Sequence, residues 1–85
     1  MKVMHKFELR GQKTVLHLAA GSIPRHVHEQ NGGVMLWIEL DLATPGPSVA
    51  RAFAIEGTGC GFERGDYLGT AHVEGFVWHV FEVPV

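Results

Sequence analysis

The segment His26-Val27-His28 places two imidazoles two residues apart. On an extended strand this spacing points both to one face. There they could grip one zinc, with a third ligand from Cys60, His72 or His79. A structural zinc site normally takes four ligands, and only these two lie together. His26 and His28 are therefore read as solvated histidines on the outer face of an edge strand, with no bound metal or other cofactor expected. His79 has a different setting. It alternates with Val77 and Phe81 in the run from Gly75 to Glu82, and reads as a half-buried, hydrogen-bonded histidine rather than a ligand or a base.

The run Gly57-Thr58-Gly59-Cys60-Gly61 is the second candidate. Glycines let backbone N–H groups curl around an anion. Gly57, Gly59 and Gly61, with Arg64 and Arg51 as possible cations, would make a small-ligand site. A phosphate loop also needs its lysine and a following helix, and neither is present. A plain connection is the better reading. Cys60 as a nucleophile needs a base and an orienting group. His72 and Glu63 stand at no spacing that supports those roles, so Cys60 is assigned no role. Glu39 and Asp41 share a strand face, as solubilising charges do, and Glu74 and Glu82 form no better pair. No catalytic constellation emerges, and a non-enzyme is expected.

The elements that must hold these residues are strands. Apolar residues recur with a period of two. Val3, His5, Phe7 and Leu9 alternate with Lys2, Met4, Lys6 and Glu8. Leu16 and Leu18 alternate with Val15 and His17, although a short helix over Thr14 to Ala20 is also possible. A third strand spans 23–29, where Pro24 requires an edge or a strand start. Asn31-Gly32 signals a hairpin. The strand after it would bury Val34, Leu36, Ile38, Leu40 and Leu42, with Met35, Trp37, Glu39 and Asp41 facing away. Thr44-Pro45-Gly46-Pro47-Ser48 reads as a loop. A fifth strand over 49–56 puts Val49, Phe53 and Ile55 on one face and alanines on the other. A long loop over 57–66 follows, and strands over 67–73 and 76–83 flank Glu74-Gly75. About seven short strands predict an all-β, small antiparallel sandwich or partly closed barrel.

Size and charge set the outer bounds. Eighty-five residues, 46% hydrophobic and 19% charged, suit one globular domain over 1–85. The stability margin of so short a chain is thin. With one cysteine, Cys60, no disulfide can form within the chain. That, and the absence of a secretory apolar run in Met1 to Arg10, points to a reducing cytosol. No stretch is long and apolar enough to suggest a membrane span. A net charge of −2 removes the drive for phosphate-backbone contacts, so nucleic acid is not an expected partner.

Two strands carry apolar residues on both faces. If Val34, Leu36 and Ile38 are buried, Met35 and Trp37 lie outside; Phe76 and Trp78 likewise oppose Val77 and Phe81. A domain this small is not expected to cover both faces with its own chain. Met35, Trp37, Phe76 and Trp78 therefore form a candidate interface, either between subunits of a symmetric dimer or with another protein; equally, Trp37 and Trp78 could cap the ends of the core.

The segments MLWIELDLA (35–43), FAIEGTG (53–59), YLGT (67–70) and GFVWHVFE (75–82) resemble, in order and spacing, a family of small proteins from bacteriophages and prophages that carries only a domain-of-unknown-function label. MKVMHKFEL is similar to that family's opening strand. Cys60-Gly61 stands where members commonly continue GTG with a His-Pro pair. The resemblance implies a phage or prophage origin and a compact β-fold, and no reaction. With the surplus apolar surface, it leads to the expectation of an accessory protein in the cytoplasm of the bacterial host that binds a host or anti-phage defence protein. The alternatives are a protein that sequesters a nucleotide or signalling molecule and a minor virion component.

Overall fold

The computed structural model describes residues 1–43 and 46–85. It contains seven antiparallel strands: β1 (Lys2–Leu9), β2 (Lys13–Ala19), β3 (Ile23–Gln30), β4 (Gly33–Asp41), β5 (Ser48–Gly57), β6 (Asp66–Val73) and β7 (Phe76–Val83). They form two sheets, one ordered β1-β4-β3 and the other β2-β5-β7-β6. The arrangement is a sandwich and not a closed barrel. The segment 14–20 is strand β2 rather than a short helix: Thr14 and Val15 are β-branched, and its backbone pairs with β5 from Lys13↔Ala54 to Ala19↔Ser48. Of the expected loop over 44–48, Thr44 and Pro45 lie outside the described residues.

Both tight hairpins turn on two residues with positive φ. Asn31 (54°) and Gly32 (81°) join β3 to β4, and Glu74 (49°) and Gly75 (84°) join β6 to β7. Consecutive positive-φ residues make a turn whose twist matches the flanking strands. Leu9, Leu18, Val27, Val34, Leu36, Ile38, Phe53, Ala71 and Val80 fill the space between the sheets. The inward sets are Val34, Leu36 and Ile38 on β4, Phe53 and Ile55 on β5, and Trp78 and Val80 on β7.

Leu42, expected to face the core, and Val49, expected on one face with Phe53 and Ile55, both lie outside the core. Leu42 is 61% exposed and Val49 is 44% exposed. Leu42 follows the last β4 residue, its N–H closing the ladder onto the Met1 carbonyl. Val49 precedes Ala52, where pairing of β5 with β7 begins. Each thus lies towards a sheet end.

The side of the sandwich where β3 and β6 meet is tightly closed. A Cβ added at Gly69 would lie 2.8 Å from Val27 Cβ, so glycine is what lets the two edges touch. Each edge is irregular there, β3 slipping register between Pro24 and His26 and β6 between Tyr67 and Gly69. Pro24 thus sits on an edge strand, as its missing N–H requires.

Candidate functional site

The inner faces of β5 and β7 carry different chemistry at their two ends. At one end Arg51 and Glu82 form a bidentate pair, Nε to Oε2 at 2.6 Å and Nη2 to Oε1 at 2.7 Å. Arg51 Nη1 also donates to the Ser22 carbonyl in the β2–β3 turn. The hydrogen bonds to Glu82, with its charge, hold the guanidinium above its ordinary pKa, against the opposing effect of partial burial. Arg51 is therefore committed to a clamp and does not serve the glycine loop as a cation.

The other end is open. Gly11 and Gln12 after β1, Val34 at the start of β4, Ile55 to Gly57 at the end of β5, Cys60 and Trp78 line a cleft of about 430 Å³. A second cleft of about 460 Å³, lined by Gly57, Thr58, Cys60, Phe76, Val77 and Trp78 with Gly75, lies beside it. Gly57, Cys60 and Trp78 belong to both. Trp78 is half-buried against the core. Phe76, two residues away on the same face, stacks on it with ring centroids 5.9 Å apart and is 64% exposed. Gln12 Nε2 reaches Glu56 Oε1 at 3.4 Å, supplying a polar rim.

The long loop from Thr58 to Gly65 leaves this end and folds over the outer face of β7. Phe62 packs on Phe81 with centroids 4.1 Å apart, and Tyr67 meets Phe81 edge-on at 5.6 Å. Phe81 is buried under this cover, and Ala52 and Ala54 on the neighbouring strand are buried as well. Both faces of β7 can be apolar because the chain does cover its own outer face, contrary to the sequence expectation. Thr58 Oγ1 lies 2.9 Å from His79 Nε2, and Thr70 Oγ1 lies 3.0 Å from Nδ1. One ring nitrogen donates and the other accepts in the neutral imidazole. His79 is thus the half-buried, hydrogen-bonded residue its alternation predicts.

The four residues grouped as one interface separate in space. Trp78 faces inward on one sheet, and Trp37 faces outward on the other, where its ring lies 5.7 Å from that of His26. They cannot form one patch, because the inward residue at that end of β7 is the tryptophan. Met35 also faces outward, yet it is only 8% exposed. It is flanked by Glu8 and His28 across the ladders, and its methyl carbon lies back over Gly33, whose missing side chain leaves room. Only Phe76 of the four is a largely exposed aromatic.

The ligand-binding set also divides. Gly57 and Cys60 line the Trp78 end, whereas Arg64 lines a separate cleft with Gly65, Asp66 and Glu82. The Cys60 N–H donates to the Gly57 carbonyl at 3.1 Å, so the glycine run makes an internal turn instead of presenting that donor to an anion. Gly59 has a positive φ of 86° within it. Gly61 lines neither of the two Trp78 clefts. Cys60, assigned no role from sequence, forms part of the cleft wall. Its proximity to Trp78 was hidden, because it depends on β5 and β7 being neighbours in the sheet.

His26 and His28 stack with centroids 5.8 Å apart on the outer face of β3. Among the described residues, no three of His, Cys, Asp and Glu come together as a metal site. On the same sheet face Glu39 bridges Arg25 and Lys2 at 3.0 and 3.5 Å. The Arg25 hydrogen bond holds its carboxyl below the usual range, as the Ala43 N–H does for Asp41.

The fold and this end together define a small antiparallel β-sandwich, clamped by an ion pair at one end and bearing an aromatic cleft at the other. The chain belongs to the family described as Domain of unknown function (DUF7352), whose match covers residues 1–85. No curated protein and no solved structure matches it.

Proposed function

We propose that the protein acts by binding, as a non-enzymatic accessory protein of phage or prophage origin whose Trp78 end docks on a protein of the bacterial host. A protein of anti-phage defence is the class of target favoured, and the host cytoplasm the setting. The observation that carries the reading is Phe76, which lines the second cleft, stacks on Trp78 and is 64% exposed. An aromatic ring fixed in place and left in water is the usual anchor of a protein interface. Covering it would return about 2 kcal/mol of hydrophobic free energy. The phage setting rests on the resemblance of the segments between Met35 and Glu82.

The test is affinity capture from host extract with the wild type and Phe76→Ser. Because Phe76 is exposed, the variant should keep the wild-type melting temperature and lose a specific partner. No specific partner, or one retained undiminished by the variant, would contradict the reading.

The cleft beside Trp78 favours a second reading, sequestration of a nucleotide or signalling molecule. Its volume of about 430 Å³ suits a small ligand. Trp78 could stack on a base, with Gln12 and Glu56 at the rim. A thermal-shift screen across nucleotides tests this, since a tight ligand raises Tm by mass action. No shift with any nucleotide would remove it.

A further inference from the structure

The first cleft beside Trp78 has apolar walls and a single charge. Val34, Ile55 and Trp78 line it, and Glu56 is the one charged residue among its lining. The Gln12 amide reaches Glu56 at 3.4 Å, and no ion pair among the described residues includes that carboxylate. The cations near it in the chain do not offset it. Lys13 pairs with Ala54 and so stands diagonal to Glu56 in the β2–β5 ladder, yet it makes no ion pair. Arg10 is held by Glu8 at 3.0 Å. Glu74, in the turn before Phe76, is likewise without a cation among the described residues. This end of the sandwich therefore carries negative charge that the chain leaves unbalanced.

The chemistry of an occupant follows from what lines the two clefts. Neither has a cation in its wall: Arg51 is committed to Glu82, and Arg64 lines a separate cleft. A phosphate group would meet Glu56 with nothing to offset it. A cation would meet a carboxylate and an indole, whose ring face attracts positive charge. Guanidinium suits this pair better than ammonium. It is planar, it stacks on aromatic faces, it forks onto a carboxylate, and its aliphatic stem suits walls such as Val34 and Ile55. The second cleft shares Gly57, Cys60 and Trp78 with the first and runs on to the exposed Phe76. A surface of that extent fits a polypeptide segment better than one free small molecule.

We infer that the first cleft receives an arginine side chain of the docked protein, its guanidinium on the Trp78 ring and paired with Glu56, and that an apolar residue beside that arginine covers Phe76. The inference rests on the docking reading above and names the chemistry the partner must present there.

A blocked tripeptide with arginine between two leucines tests this without a host extract. It is titrated into the protein while the two indole N–H resonances are followed by NMR. The Trp78 signal should shift saturably, and that of Trp37, which faces outward on the other sheet beside His26, should not. Citrulline in place of arginine keeps the shape and removes the charge, and should weaken binding about fivefold or more. Glu56→Gln should keep the wild-type melting temperature and abolish that preference. Equal binding of the two tripeptides to the wild type would overturn the inference. So would a preference that survives Glu56→Gln, or adenosine monophosphate shifting Trp78 where the arginine tripeptide does not. Capture from extract separates this inference from the reading beneath it. A partner lost with Phe76→Ser but retained by Glu56→Gln sinks the arginine and leaves docking intact. No partner at all, with the tripeptide bound as expected, contradicts docking and leaves the cleft's preference for arginine standing.

Discussion

Strands β5 and β7 run side by side through the sandwich, and their inward residues change character along the way. At one end Arg51 and Glu82 grip each other and the Ser22 carbonyl. At the other, Ile55 and Trp78 border a cleft, and Phe76 stands beyond it in water. The first arrangement satisfies its charges within the chain and has little left to offer a partner. The second leaves aromatic surface unused. A thin stability margin makes such surface costly to keep, which is why the unclamped end is read as the working end.

The largest effect should come from breaking the clamp. Glu82→Ala leaves Arg51 half-buried without its carboxylate and should cost about 2 kcal/mol in denaturant unfolding. Replacing both, as Arg51→Met with Glu82→Leu, should recover most of it, because the pair's attraction is offset by its desolvation. Neither change should alter partner capture.

The same substitution at two glycines, one closing β5 and one ending the long loop, separates the ends further. A Cβ at Gly65 would meet Phe81 Cβ at 3.0 Å and the Glu82 carbonyl at 3.2 Å. Gly65→Ala should therefore destabilise by about 1–2 kcal/mol. At Gly57 the nearest atoms are Trp78 at 3.5 Å and Cys60 Sγ at 3.6 Å, ordinary contacts. Gly57→Ala should be neutral or stabilising by up to about 1 kcal/mol, and it should weaken capture by narrowing the cleft. Equal losses of stability at both positions would erase the contrast.

The strand count, the two hairpins and the inward set Val34, Leu36 and Ile38 were all legible in the sequence, because alternation and positive-φ dipeptides are local signals. The open end was not. Trp78 meets Cys60 and Gly57 only because β5 pairs with β7, skipping β6. The doubly apolar β7 looked like surplus surface until Phe62 was seen over Phe81. That phenylalanine, the one large apolar residue in the run from Gly57 to Asp66, was the available clue. Met35 misled for a related reason: facing outward does not mean exposed when a flexible side chain lies over a glycine.

Cys60 gives a smaller effect. Its thiol is exposed, so iodoacetamide should modify it without changing Tm. The adduct would sit in the cleft wall and should reduce capture, whereas the sequence reading predicts no loss. Unaltered capture would favour docking through Phe76 alone.

The smallest effect lies in the acid range. Glu39 and Asp41 are both held below their ordinary values of 4.5 and 3.8. A lowered folded-state value stabilises the fold above the unfolded pKa, and this contribution is lost as pH falls through the folded one. Melting temperature should drop slightly on acidification below about pH 4.5. Glu39→Gln should flatten that drop, with no change in capture, since this face lies on the other sheet.

The central claim is that the unclamped end meets the partner. A photo-crosslinking phenylalanine analogue at position 76, compared in host extract with the same group at the exposed Met4, tests it most directly. A specific host-protein adduct from position 76 and none from position 4 is the predicted result. Adducts from position 4 alone, or indistinguishable adducts from both, would contradict the account.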